Sequence, residues 1–175
     1  ESARLSLEKP ALRYVRLDRQ YLPDVYSPDD KSFIDKGMVE IDQGSDVCII
    51  STGYMTNKAR ETREILMQEG IDAGVVDVYR IKPFNEKNLV EIARNYKGIM
   101  TLEEHFLSAG LGSVIAEAVI DNRIDIPVKR VGVKDYYYFE NGGREHIRKL
   151  AGIDLESVVG KVRNFYQEIR ATKDS

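Results

Sequence analysis

The chain lacks the residues that build covalent or metal-based scaffolds. Cys48 is the only cysteine among 175 residues, so no intrachain disulfide can form. It lies within Val47-Cys-Ile-Ile50, where a buried and inert thiol is expected rather than a nucleophile or ligand. A chain with no disulfide fits a cytoplasmic location. No apolar run approaches the ~20 residues that a bilayer span needs, and no signal-peptide pattern opens the chain. Charge of one sign is missing too. The 26 basic and 29 acidic residues leave a net charge of −3, a balance that argues against nucleic acid or a membrane surface as the main partner. Repeats and low-complexity tracts are absent, and neither His105 nor His146 has zinc-ligand spacing.

What remains is a chain long enough for one domain with a real core, organised around residues 99–117. There a short apolar run, Ile99-Met-Thr-Leu102, ends in Glu103, Glu104 and His105. A small-residue turn and an amphipathic helix with Val114, Ile115, Ala118 and Val119 on one face follow. Strand, loop and helix place the polar residues at the strand's carboxyl end, the rim where ligands meet open α/β sheets.

Upstream, residues 1–8 have helical spacing, with Ala3 and Leu7 four apart, and Pro10 stops them. This opening in mid-helix is expected to belong to a preceding domain. Residues 12–17 alternate as a strand, and Gln20–Asp35 has linker composition. Met38–Ile41 and Val47–Ser51 predict two strands joined by a hairpin-like connection, the first antiparallel to its neighbour. A helix carrying Met55, Ala59, Thr62, Ile65 and Leu66 ends at Gly70. Strands at 73–79 and 128–133 flank the central unit. Asn85 caps a helix with Leu89, Ile92, Ala93 and Tyr96. Arg144–Ala151 predicts a short helix through Ile147 and Leu150, and Asp154 caps a long one through Leu155, Val158, Val159, Val162, Tyr166 and Ile169. The alternation predicts βαβ crossovers and a largely parallel sheet covered on both faces.

Four features could carry chemistry. Gly110-Leu-Gly112 before Ser113 resembles a phosphate-binding turn, but it lacks the third glycine of the dinucleotide fingerprint, and close helix–sheet packing is the competing reading. Glu103, Glu104 and His105 could form an acid/base cluster, in which carboxylates beside a histidine favour its charged form; an interface or structural role is the alternative. Arg13, Arg16 and Arg19 could present guanidinium forks to a phosphate, or pair with Asp18 at the surface. Tyr136, Tyr137, Tyr138 and Phe139 follow the last strand, where aromatics more often pack a subunit interface than stack on a ligand.

Several of these stretches together resemble the carboxyl-terminal part of the transketolase group of thiamine diphosphate enzymes. Pro10–Gln20 is similar to the last strand of that group's pyrimidine-binding domain, and Asp46–Gly53 to the first parallel strand of its C-terminal domain. Asp77–Phe84 and Thr101–Glu117 are similar to two later motifs. The resemblance implies a three-layer α/β/α domain at residues 37–170 with a five-stranded, mostly parallel sheet whose first strand is antiparallel. It also implies a linker at 21–36 and the tail of a pyrimidine-binding domain at 1–20. It implies two-carbon ketol transfer between sugar phosphates, with Arg19 as the phosphate contact and Arg16 a weaker candidate. Thiamine diphosphate and Mg are implied to be bound elsewhere, because the group's Gly-Asp-Gly motif does not occur here. No cofactor or metal residue is therefore expected in this chain. The implied partners are a second copy, or the pyrophosphate- and pyrimidine-binding regions in a homodimer or heterotetramer. Alternatives are a 2-oxoacid dehydrogenase β subunit, a deoxyxylulose phosphate synthase, or a non-catalytic assembly module of the same fold.

Overall fold

The computed structural model describes residues 7, 11–18, 21–27 and 36–173. The element order is β1 (Met38–Asp42), β2 (Val47–Ser51), α1 (Tyr54–Gln68), β3 (Ala73–Val78), α2 (Glu86–Ala93), β4 (Gly98–Phe106), α3 (Leu111–Asp121), β5 (Val128–Val133), α4 (Arg144–Ala151) and α5 (Leu155–Lys173). The five strands form one sheet in the order β1-β3-β2-β4-β5. β1 is antiparallel to β3, and the other pairs are parallel.

The period-two alternation of a strand divides the core between the two faces. Val47 and Ile49 of β2 join Val75, Met100, Leu102 and Val131 under α1 and α5. Cys48 and Ile50 face the other way, with Val76, Val78 and Ile99 under α2 and α3. Every residue of β2 is buried, as a central parallel strand requires. The result is the expected α/β/α sandwich.

Local signals place the helix ends. Gly70 adopts φ 78° just beyond α1, the left-handed turn that lets the last carbonyls find donors. Asn85 accepts a hydrogen bond from the Asn88 N–H at 3.2 Å, and Asp154 accepts one from Ser157 N–H at 3.3 Å. On α5 the buried residues are Val158, Val159, Val162, Phe165 and Ile169, while Tyr166 is only partly covered.

Three expectations are corrected. The first two strands do not form a hairpin. β1 pairs with β3 in the register Met38↔Val78, because β2 has parallel neighbours on both edges and the outer edge of β3 is free to take it. The connection crosses to the start of β3, where Ser45 and Asp46 N–H groups both donate to the Asp72 carbonyl at 3.1 and 2.9 Å. Residues 12–17 form no strand, since they make no sheet pairing with the described residues, and Leu12, Tyr14 and Leu17 are exposed. On α4, Leu150 is exposed and Arg148 is the buried residue. Of the helix predicted over residues 1–8, only Leu7 lies among the described residues, and it is helical.

Segment 21–27 is fastened to the domain at the carboxyl end of β3. Tyr26 donates to Asp77 Oδ2 at 2.5 Å, and Thr56 donates to Asp77 Oδ1 at 2.7 Å. Burial raises the Asp77 carboxyl above its ordinary range, and the two hydroxyl donors offset that only in part.

Candidate functional site

β4 carries the polar cluster into an irregular stretch of sheet. Leu102 pairs with Val131 and Phe106 with Val133, so four steps along β4 match two along β5. Glu103, Glu104 and His105 fall inside this irregularity. Bulges of this kind bend a strand and re-aim its side chains, and here the three side chains go to different elements.

Glu103 turns to α3. It is fully buried, and its Oε2 and Oε1 accept the backbone N–H groups of Leu111 and Gly112 at 2.7 and 2.8 Å. Those N–H groups open the helix, where no intrahelical acceptor exists and the dipole favours negative charge. A Cβ on Gly110 would lie 2.2 Å from Glu103 Oε2. Gly110 itself has φ −90° and ψ −166°, an ordinary extended backbone, so what the glycine supplies is space for the carboxylate. The phosphate-turn reading of Gly110-Leu-Gly112 is overturned, because the anion at this helix start is the chain's own Glu103.

Glu104 turns to α4. Arg144 Nε donates to its Oε1 at 2.9 Å and Arg144 Nη2 to its Oε2 at 2.5 Å, while Arg148 Nε adds a third contact at 2.9 Å. Burial alone would raise the Glu104 carboxyl, but the Arg144 and Arg148 hydrogen bonds outweigh it and hold the group below its ordinary value. Hydrogen bonds to Glu104 and then Asp18 stabilise the Arg144 cation in the same way. Arg148 is only 2% exposed. Its guanidinium carbon sits 3.5 Å from the Tyr54 ring centre and that of Arg144 at 4.6 Å, so one aromatic ring serves both cations. Glu145 closes the group, bonded to Arg148 Nη1 and accepting from Tyr54 Oη at 3.0 Å. A cleft of about 300 Å³ lies against Arg144 and Arg148, floored by Val133, Ile147 and Ile153.

His105 turns to the amino-terminal segment. Arg16 Nη1 lies 3.0 Å from His105 Nε2, and His105 Nδ1 lies 3.5 Å from Glu103 Oε2. A guanidinium only donates, so in this arrangement Nε2 is the acceptor and Nδ1–H faces Glu103. The expected histidine between two carboxylates therefore becomes a histidine between a carboxylate and an arginine.

The remaining expectations divide. Arg16 reaches the site, whereas Arg19 lies outside the described residues. Tyr136, Tyr137 and Phe139 are exposed and Tyr138 is half-buried, with Tyr136 packing edge-on to Tyr138 at 5.2 Å. His146 is exposed on α4. Cys48 is buried, and that burial pushes its thiol pKa up, as an inert core cysteine should show. No helix is long and apolar enough to cross a membrane among the described residues. Reading the sequence missed Tyr54, Arg144 and Arg148, and it gave Asp18 an arginine of its own segment as partner where the structure gives it Arg144. The one available signal was that Arg144 and Arg148 stand four apart on α4, on the face next to Glu104.

Residues 36–158 match the family model of the transketolase C-terminal domain. An apulose-4-phosphate transketolase subunit of Actinobacillus succinogenes is 30% identical over 146 residues, 83% of this chain and 47% of that protein. The 1-deoxy-D-xylulose-5-phosphate synthase of Thermomicrobium roseum is 32% identical over 156 residues, 89% of this chain and 24% of that protein. A solved split-gene transketolase, described as an inactive beta4 tetramer, aligns with a TM-score of 0.75 at 37% identity, over 83% of this chain and 47% of that one. A mutant transketolase from Pichia stipitis shares the fold, with a TM-score of 0.61 at 18% identity over 78% of this chain and 19% of that one. The chain thus spans less than half the length of these relatives. With the sheet order, the antiparallel first strand and the family match in agreement, the chain belongs to the transketolase C-terminal domain family.

Proposed function

We propose that this chain is the C-terminal portion of a thiamine diphosphate-dependent transferase that moves a two-carbon ketol unit between sugar phosphates. In this reading residues 1–20 end a pyrimidine-binding domain, 21–36 are a linker and 37–170 form the C-terminal domain. The carrying observation is the placement of segment 11–18, which leads directly into Arg19-Gln20, against the carboxyl rim of the sheet through Arg16 and Asp18. Relatives named for sugar-phosphate chemistry support the substrate class. Arg19 is then the phosphate anchor, because a guanidinium fork matches phosphate oxygens.

The cofactor and its metal do not fit the described residues. Among these, no three His, Cys, Asp or Glu side chains converge on a common point. The rim carboxylates are already committed, Glu103 to α3 and Glu104 to two arginines. Thiamine diphosphate and Mg therefore belong to other regions or subunits in this reading, and no step of the chemistry is assigned to residues 36–173. The relative described as a tetramer supports a multi-subunit assembly.

Two measurements test the proposal. In the complete enzyme Arg19→Ala should raise KM for a phosphorylated acceptor about thirtyfold relative to its unphosphorylated counterpart; equal changes for both would count against the anchor. Tyr136, Tyr137, Tyr138 and Phe139 are read as the surface that meets another subunit. Tyr137→Glu should then move the assembly to a smaller species in sedimentation velocity, and an unchanged profile would retire that surface.

A further inference from the structure

We propose that the carboxyl rim of the sheet, through Arg144 and His105, is the surface on which the preceding domain docks. The rim reads the charges of Arg16 and Asp18, an inference that rests on the reading of residues 1–20 as the end of that domain. Arg144 Nη1 and Nη2 donate to Asp18 Oδ1 and Oδ2 at 3.0 and 2.8 Å, a two-point fork that fixes orientation as well as distance. The rim is built to offer that fork. Glu104 is already held by Arg148, which is buried and stacked on Tyr54. Arg144 gives Glu104 its Nε and one side of Nη2, so its outer edge is turned to a second carboxylate from elsewhere in the chain.

A second tie of opposite sign lies two residues earlier in the segment. Arg16 donates to His105 Nε2 at 3.0 Å, and His105 stands beside Glu103, itself locked to the start of α3. The rim thus meets a cation with an acceptor and an anion with a double donor. A shift of the segment by one residue would set Val15 at His105 and Leu17 at Arg144, and both rim groups would then face an apolar side chain. Leu12, Tyr14 and Leu17 are exposed, so the polar pair goes to this domain and the apolar side chains are left for the preceding one to cover. The Arg144 and Asp18 side chains keep 37% and 26% of their exposure. Pairs so open to water add little to fold stability. What complementary charges supply at such a surface is the choice of partner and of register.

The test is hydrogen exchange, read by mass spectrometry on the complete enzyme. Asp18→Arg sets a cation against Arg144, and the amides of residues 142–151 should then exchange about tenfold faster. Arg144→Asp should do the same from the other side. The two changes together reverse the pair without altering the charge count, and should bring exchange back to within about threefold of wild type. Asp18→Asn removes the anion, keeps the shape of the segment and leaves Arg144–Glu104 in place. It should speed the same amides about threefold, which decides the matter even if a reversal variant folds poorly. Unchanged exchange at 142–151 in both Asp18 variants, or a double variant no better than the single ones, refutes the docking surface. Amides 12–17 report separately on the preceding domain. They should be protected in wild type, as a strand of a folded domain is, and stay protected in every variant. Protection there with no response at 142–151 refutes the docking surface and leaves that domain in place. Wild-type amides 12–17 that exchange like an open chain, or that lose protection together with 142–151, overturn both.

Discussion

Glu103→Ala is expected to destabilise the domain by about 4 kcal/mol in urea unfolding, a large share of the roughly 5–15 kcal/mol that holds a domain of this size folded. The magnitude follows from what the carboxylate does. It accepts two backbone N–H groups at 2.7 and 2.8 Å with no exposure to water. Hydrogen bonds to a charged group contribute about 1.5–3 kcal/mol each, and a buried donor left without an acceptor costs its desolvation. The favourable interaction with the helix dipole is lost with them. Alanine also leaves a void between β4 and α3 that the close approach of Gly110 and Gly132 cannot fill. Glu103→Gln should fall in between, at about 2–3 kcal/mol, because its amide can accept from one N–H but turns a donor towards the other. A loss under about 1 kcal/mol for the alanine variant would show that α3 finds other partners for its first turn.

The same residue shows what a sequence can and cannot reveal. The glycines at 110 and 112 signal that something approaches the backbone closely, and that is correct. The approaching group is a carboxylate seven residues before Gly110, not a bound phosphate, because the irregular pairing of β4 with β5 swings Glu103 towards α3. Nothing in Thr101-Leu-Glu-Glu-His105 marks that irregularity. Signals confined to a few neighbouring residues were legible: the Asn85 and Asp154 caps, the Gly70 turn, and the apolar run that makes Val47–Ser51 a strand. Partnerships across the chain were not. A hairpin and a crossover begin with the same short connection, so the neighbour of β1 depends on where β2 and β3 lie. Arg148 reads as one more charge on a solvated helix, yet it is buried because Tyr54, Glu104 and Glu145 converge on it from two other elements and its own. The arginines at 13, 16 and 19 suggested forks offered to a phosphate, but the fold gives Arg16 to His105 and Asp18 to Arg144.

Gly110→Ala should destabilise the domain by about 3 kcal/mol, although the backbone there suits any residue. Its φ of −90° and ψ of −166° carry no conformational penalty, so steric exclusion is the whole effect. The new methyl would stand 2.2 Å from Glu103 Oε2 and 2.6 Å from the Phe106 carbonyl oxygen, well inside contact distance. Neither neighbour yields cheaply. Overpacking of this kind costs about 1–3 kcal/mol by itself, and pushing Glu103 aside weakens its bonds to Leu111 and Gly112 as well. The two substitutions must then be strongly non-additive, since alanine at 103 removes the group that the methyl strikes. The double variant Glu103→Ala/Gly110→Ala should therefore lose about 1–2 kcal/mol less than the sum of the two single losses, with the Phe106 carbonyl still opposing the methyl. Full additivity would mean that the Phe106 carbonyl, not the carboxylate, is the obstacle, and that the glycine serves the loop rather than the buried anion.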